Sequence, residues 1–105
     1  MIERKLLDTA AMSGGTLKDP ADADKMICGV CTDSRIVQPG NLYIPLAGAR
    51  ADGHDFIEQV KAKQAGASLW QKDHLPYPEG IPLILVDDPL KAMQQLAKSY
   101  LAHVS

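Results

Sequence analysis

Ile2, Leu6, Leu7, Ala10 and Ala11 recur at helical spacing and predict a short amphipathic helix over residues 3–12. Ser13-Gly14-Gly15 ends it, with glycine available for a left-handed cap. Residues 18–25, KDPADADK, are polar with one proline and read as a surface loop. The apolar, branched run Met26 to Thr32 predicts a buried strand, and Leu42 to Leu46 a second one. Between them Pro39-Gly40 suits the central positions of a type II turn. A loop over Gly48 to Gly53 leads into a helix from about residue 55 to 65, with Gly66 as its stop. Ala67 to Gln71 reads as a short strand, HLPYPEGIP as a proline-punctuated loop, and Leu83 to Val86 as a central strand. Asp88 then caps a final helix with Pro89 at its first position, and Leu90, Met93, Leu96, Ala97, Tyr100, Leu101 and Val104 form its apolar stripe.

Helices alternating with strands define a small layered α/β domain. The helix between the strands at 42 and 67 fits a right-handed crossover. The 33–41 connection holds no helix, and on that ground a mixed sheet flanked by helices is expected. At 105 residues the chain suits one domain, with 46% hydrophobic and 23% charged residues, an ordinary globular balance. A net charge of -2 gives no strong pull toward nucleic acid or an anionic membrane. No apolar run is long enough for a transmembrane helix, and MIERKLLDTAAM makes a poor signal peptide. A cytoplasmic location is therefore expected, with both cysteines as reduced thiols.

Candidate chemistry lies mostly between residues 31 and 56. Cys28 and Cys31 spell C-x-x-C, but inside one strand positions three apart face opposite sides, and no second pair completes a zinc site; structural core cysteines are expected. Asp52, His54 and Asp55 have loose metal-ligand spacing, yet Asp52 and Asp55 stand where a helix begins, so capping is favoured, no metal is expected, and His54 reads as a hydrogen-bonding residue that fixes the loop. Asp33-Ser34-Arg35 follows a strand directly. It is either an Asx turn with an exposed arginine, or a hydroxyl and a cation set near phosphate. Arg50 stands at the end of the next strand, and the two loops converge only if those strands run parallel or the connection folds back. There is no Walker-type G-x-x-x-x-G-K-[ST] loop, no nucleophilic triad and no paired-carboxylate motif. The residues by themselves lead to an α/β domain with a possible pocket for a charged, sugar-like ligand.

TDSRIVQPGNLYIPLAGARADGHDFI, followed by AGASLWQKD and PLILVDDPLKAMQQLAKSYL, resembles the N-terminal domain of the Mur ligases over nearly the whole chain. The motifs D-S-R, P-G-x-L and G-x-R-x-D-G-H-D-F are specific in combination and in this order. GHDF, the GGTL near the start and VDDPLKAMQQLAKSY resemble the MurF type more than the MurE type. The resemblance implies an ATP-dependent, three-domain enzyme of peptidoglycan synthesis that joins D-alanyl-D-alanine to UDP-N-acetylmuramoyl-tripeptide. Residues 1–105 would be its UDP-substrate-binding domain, with ATP and Mg²⁺ in a central domain and the incoming amine in a C-terminal one. On this basis the chain is expected to be a fragment without cofactor, catalytic residue or ligase activity of its own, binding no nucleic acid.

The resemblance also points to residues. Thr32, Ser34 and Arg35 match the turn at the nucleotide end, which Asp33 helps to shape. Gly48, Ala49, Arg50 and Ala51 match the segment that wraps the uracil, with Gly48 permitting close backbone approach. Asp52, Gly53, His54 and Phe56 match a motif that supports that loop and starts the helix. The competing expectations are a MurE-type domain adding the third amino acid, a free-standing nucleotide-binding or interaction module, and a structural domain whose turns bind nothing.

Overall fold

A computed structural model describes residues 3–46 and 52–102. In chain order the elements are β1 (Glu3–Lys5), α1 (Leu6–Ser13), β2 (Thr16–Leu17), β3 (Met26–Cys28), β4 (Val30–Cys31), β5 (Leu42–Tyr43), α2 (Ile57–Ala62), β6 (Ala67–Gln71), β7 (Leu83–Val86) and α3 (Pro89–Ala102), with single 3-10 turns at Pro20–Asp22 and Gly53–Phe56. Five strands form one sheet in the order β2-β7-β6-β5-β4, and β1 and β3 pair separately as an antiparallel ribbon. β4, β5, β6 and β7 are mutually parallel, and β2 runs antiparallel to β7 at the edge. The expected α/β architecture with a mixed sheet flanked by helices is met.

Side-chain alternation along the strands divides the core in two. Leu42, Ala67, Leu69, Ile84 and Val86 face Leu6 and Ala10 of α1 and Ala92 and Leu96 of α3. On the other face Tyr43, Trp70 and Leu83 meet Ile57 and Val60 of α2 together with Val37. β5, β6 and β7 are therefore covered on both sides, which explains why β7 reads as an unbroken apolar run.

Local signals that depend on backbone geometry fall where the sequence puts them. Gly14 sits in the left-handed region at φ 73°, with Gly15 N–H donating to Ala10 O (2.9 Å) and Gly14 N–H to Ala11 O (3.3 Å), the paired bonds of a Schellman cap. Gly40 has φ 85° and Asn41 N–H closes the turn on Gln38 O at 3.1 Å, as a type II turn requires. Asp88 Oδ1 accepts from Leu90 N–H at 2.9 Å, capping α3.

Other expectations are corrected. The opening segment is a strand and then a helix, because residues 3–5 pair with Met26–Cys28 rather than coil. The run from Met26 to Thr32 is two strands in two sheets, broken where Gly29 takes φ 86°. The assumption behind the cysteine argument, one continuous strand, therefore fails; Cys28 and Cys31 are half-buried and in no disulfide, and Cys31 Sγ lies 3.1 Å from Asp33 O. β5 ends at Tyr43, since only residues 42 and 43 find partners on both sides. The helix expected over 55–65 starts as a 3-10 turn and ends at Ala62, and the left-handed residue after it is Gln64 at φ 64°, not Gly66. Gly66 serves close approach instead: an added Cβ would lie 2.9 Å from Gly40 O. On α3, Leu90 is 48% exposed and Ala97 is exposed, so the buried stripe runs through Ala92, Met93 and Leu96. The sheet is mixed because of β2: the helix-free connection over residues 32–41 joins parallel neighbours.

Candidate functional site at the C-terminal edge of the parallel strands

Because β4 and β5 are parallel neighbours, with Cys31 opposite Tyr43, the segments that follow them leave the same edge of the sheet. The connection after β6 leaves there too. This is the edge outside which open α/β sheets bind ligands.

The first segment is a tight turn. Asp33 Oδ1 accepts from Arg35 N–H at 2.9 Å, and its carboxylate takes two guanidinium bonds from the same residue, Nε–H to Oδ1 at 3.1 Å and Nη2–H to Oδ2 at 3.0 Å. Hydrogen bonding to Arg35 holds the Asp33 carboxyl below its ordinary range and raises Arg35 in return. The turn is the Asx turn with an exposed arginine, the Arg35 side chain being 80% exposed. Thr32 is exposed beside it. Ser34 turns inward, where its Oγ–H donates to Gln59 Oε1 of α2 at 3.3 Å. Lys72, another cation of this edge, pairs with Asp87 at 2.6 Å.

The second segment contains Gly48, Ala49, Arg50 and Ala51, which lie outside the described residues. Its two ends are described, and they meet. Gly53 N–H donates to Leu46 O at 2.9 Å, and Tyr43 O–H donates to Gly53 O at 2.9 Å. Asp52 caps the 3-10 turn, accepting from His54 N–H at 2.9 Å, so the capping expectation holds for Asp52. Asp55 is exposed, and Phe56 is 40% exposed.

His54 is buried and has both ring nitrogens engaged. Its Nε2 lies 3.2 Å from Gln71 N, and an amide N–H can only donate, so Nε2 accepts. In the neutral ring the proton is then on Nδ1, which donates to Asp52 Oδ1 at 2.6 Å. Burial pushes the Asp52 carboxyl up, but the backbone and ring hydrogen bonds from His54 outweigh it and leave the group below its ordinary range. His74 stacks on His54 with centroids 4.2 Å apart and planes at 11°, and Trp70 meets both rings edge-on. No motif marks His74, Trp70 or Gln71; they reach the site only because β6 lies beside β5.

Asp52, His54 and His74 offer three metal-ligand atoms within 4.8 Å of one another. The arrangement does not suit a metal ion. His54 spends one nitrogen on Gln71 and the other on Asp52, and the in-plane lone pairs of two stacked rings cannot converge on one ion. Mg²⁺ would want oxygens in an octahedron, which this trio does not supply. A cleft of about 390 Å³ lined by Lys18, Asp22, Lys25 and Glu79 lies at the other end of β7 and shares no residue with these loops.

Tyr43 joins core and site, and yields a test. Burial, with the charges of Cys31, Asp33 and Asp52 nearby, pushes its hydroxyl up to about 12. The folded value exceeds the unfolded one, so its contribution to stability is whole below pH ~10 and is lost as pH rises toward about 12. Tyr43→Phe should cost about 1–2 kcal/mol at neutral pH by leaving Gly53 O without its donor. It should also remove part of the alkaline fall in stability, which denaturant titrations at pH 7 and pH ~10.5 measure. An alkaline fall unchanged by the substitution would contradict this assignment.

The fold is a small α/β domain in which the loops after β4 and β5 leave the same edge of a mixed sheet. The profile of the Mur ligase family, catalytic domain, matches residues 26–101. The chain is 46% identical over 101 residues to the UDP-N-acetylmuramoyl-tripeptide--D-alanyl-D-alanine ligase of Bacillus subtilis (strain 168), covering 96% of this chain and 22% of that protein. It is 39% identical over 82 residues to the UDP-N-acetylmuramoyl-L-alanyl-D-glutamate--2,6-diaminopimelate ligase of Bradyrhizobium diazoefficiens, covering 78% and 16%. A crystal structure of MurF from Acinetobacter baumannii overlays with a TM-score of 0.79 at 24% identity, covering 91% of this chain and 20% of that one. The chain belongs to the Mur ligase family and has the fold seen in MurF. It spans about a fifth of the length of the relatives it matches.

Proposed function

We propose that this chain anchors the UDP end of a UDP-N-acetylmuramoyl peptide for a MurF-type ligase, with residues 32–35 and 48–51 as the contact segments. The observation that carries the proposal is the parallel pairing of β4 with β5, from which both segments leave at one edge. The MurF type is favoured over the MurE type by identity of 46% over 96% of the chain, against 39% over 78%. Thr32 and the Arg35 guanidinium are the exposed groups of the first turn, and Ser34 keeps acceptor lone pairs while donating to Gln59. The turn is thus supplied with a cation already half-neutralised by Asp33, which suits modest rather than tight grip on a diphosphate.

In the whole ligase, ATP with Mg²⁺ supplies the energy for amide-bond formation. On this proposal that chemistry lies in other parts of the ligase, and the donors of Asp52, His54 and His74 do not fit Mg²⁺. This chain contributes binding and orientation: a remote handle supplies binding energy that chemistry elsewhere can use. By itself it should be inactive as a ligase, and as an enzyme of a soluble precursor it would work in the cytoplasm.

Titration of the 105-residue chain with UDP, followed by amide chemical shifts, tests the assignment. Shifts should concentrate in residues 32–35 and 48–51, with a dissociation constant from high micromolar to millimolar, about 4–6 kcal/mol. Absence of shifts there at several millimolar UDP would refute it.

A further inference from the structure

His74 carries no motif, yet four contacts fix it against the end of β6 and the Asp52–His54 turn. Its N–H donates to Gln71 O at 2.9 Å, and its C=O accepts from Trp70 Nε1–H at 2.7 Å. Its ring lies flat on His54, and its Nδ1 stands 3.7 Å from Asp52 Oδ2, the oxygen that His54 leaves unused. Asp52 opens that turn, and His54 ties it to Gln71 at the end of β6.

The His54–Asp52 hydrogen bond is worth most where water is kept from it. His54 is only 3% exposed. Trp70 closes its ring edge-on, and His74, itself one-third exposed, covers its face. Removing His74 would open that face to solvent and let water compete for Asp52.

We propose that His74 is a positioning residue: its ring acts as a shutter over His54 and so fixes the Asp52–His54 turn beside the proposed uridine-diphosphate site. The role in ligand binding rests on the UDP-anchoring assignment; the clamp itself rests on these contacts alone. The connection after β6 thereby becomes part of the site, although it offers no group to the ligand.

The test compares His74→Ala with His74→Phe in the 105-residue chain. Phenylalanine keeps the stacked ring and loses only the long Nδ1 contact. Three measurements are needed: hydrogen exchange of the Gly53 and His54 amides, the UDP dissociation constant, and the melting temperature. In His74→Ala, exchange at Gly53 and His54 should rise about 5- to 20-fold through local opening, while Leu69 and Ile84 in the sheet keep their protection. UDP should bind about 3- to 10-fold more weakly, a loss larger than the small melting shift would account for. His74→Phe should bring exchange and binding back to within about twofold of the parent chain. Unchanged UDP affinity in His74→Ala would overturn the positioning role and leave the UDP assignment standing. If the parent chain ignores UDP, the UDP assignment falls; faster exchange rescued by phenylalanine would then still support the clamp, and unaltered exchange would overturn it.

Discussion

Gly53→Ala should destabilise the domain by about 2–4 kcal/mol, combining backbone overpacking with lost hydrogen bonds. The reason is space, not conformational freedom, because Gly53 has no positive φ. A Cβ there would lie 2.7 Å from Leu46 N, 2.8 Å from Pro45 Cα and 3.0 Å from Leu46 O, all main-chain atoms that cannot swing aside. To relieve this, residues 52–53 must draw away from 45–46. That movement breaks Gly53 N–H to Leu46 O and pulls Gly53 O from the Tyr43 hydroxyl. The melting temperature should fall by about 10–25 °C for a chain of this size, and UDP binding should disappear with it. Thermal unfolding and a UDP titration read both effects. A variant melting within a few degrees of the parent would show that the base of the segment is looser than this packing implies.

Trp70→Ala should cost about 3–5 kcal/mol, a large share of the roughly 5–15 kcal/mol expected for such a domain. Trp70 is 2% exposed on β6, the middle strand, and packs with Tyr43, Ile57, Val60 and Leu83. The substitution opens a cavity under α2 and also removes the donor that holds His74 O. Trp70→Phe separates the two effects. It keeps most of the apolar volume and loses the indole N–H, so it should cost about 1–2 kcal/mol and loosen His74. Because Trp70 is the only tryptophan, unfolding of the variants must be followed by circular dichroism rather than by intrinsic fluorescence. Equal stability of the Ala and Phe variants would contradict the core role assigned here.

Signals confined to a few neighbouring residues were the legible ones. The Gly14 cap, the Pro39-Gly40 turn, the Asp88-Pro89 start of α3 and the strands at 67–71 and 83–86 each follow from local chemistry. Segments whose state is decided by distant partners were not. Residues 3–5 have helical spacing but pair with a strand more than twenty positions away. Gly29 looks like one residue inside an apolar run, yet it marks the point where the chain leaves one sheet for another. Gln64 takes the left-handed position, while Gly66 two residues later lies against Gly40.

The candidate site divides in the same way. D-S-R and the G-H-D-F stretch were visible as motifs, and the structure adds that Ser34 points inward to Gln59 while Arg35 is held by Asp33. Whether their loops share an edge depended on the direction of β5 relative to β4, which a helix-free connection left open. His74, Trp70 and Gln71 carry no pattern of their own. They become part of the site by lying about twenty residues downstream on an adjacent strand and its exit.

The bonds from Gly53 N–H to Leu46 O and from Tyr43 O–H to Gly53 O tie together the two ends that flank residues 47–51. Closing a longer insertion on ends already joined costs only about 0.6 kcal/mol for each doubling of its length. Evolution, or a protein engineer, is thus free to lengthen, shorten or rewrite those five positions without refolding the scaffold that carries them.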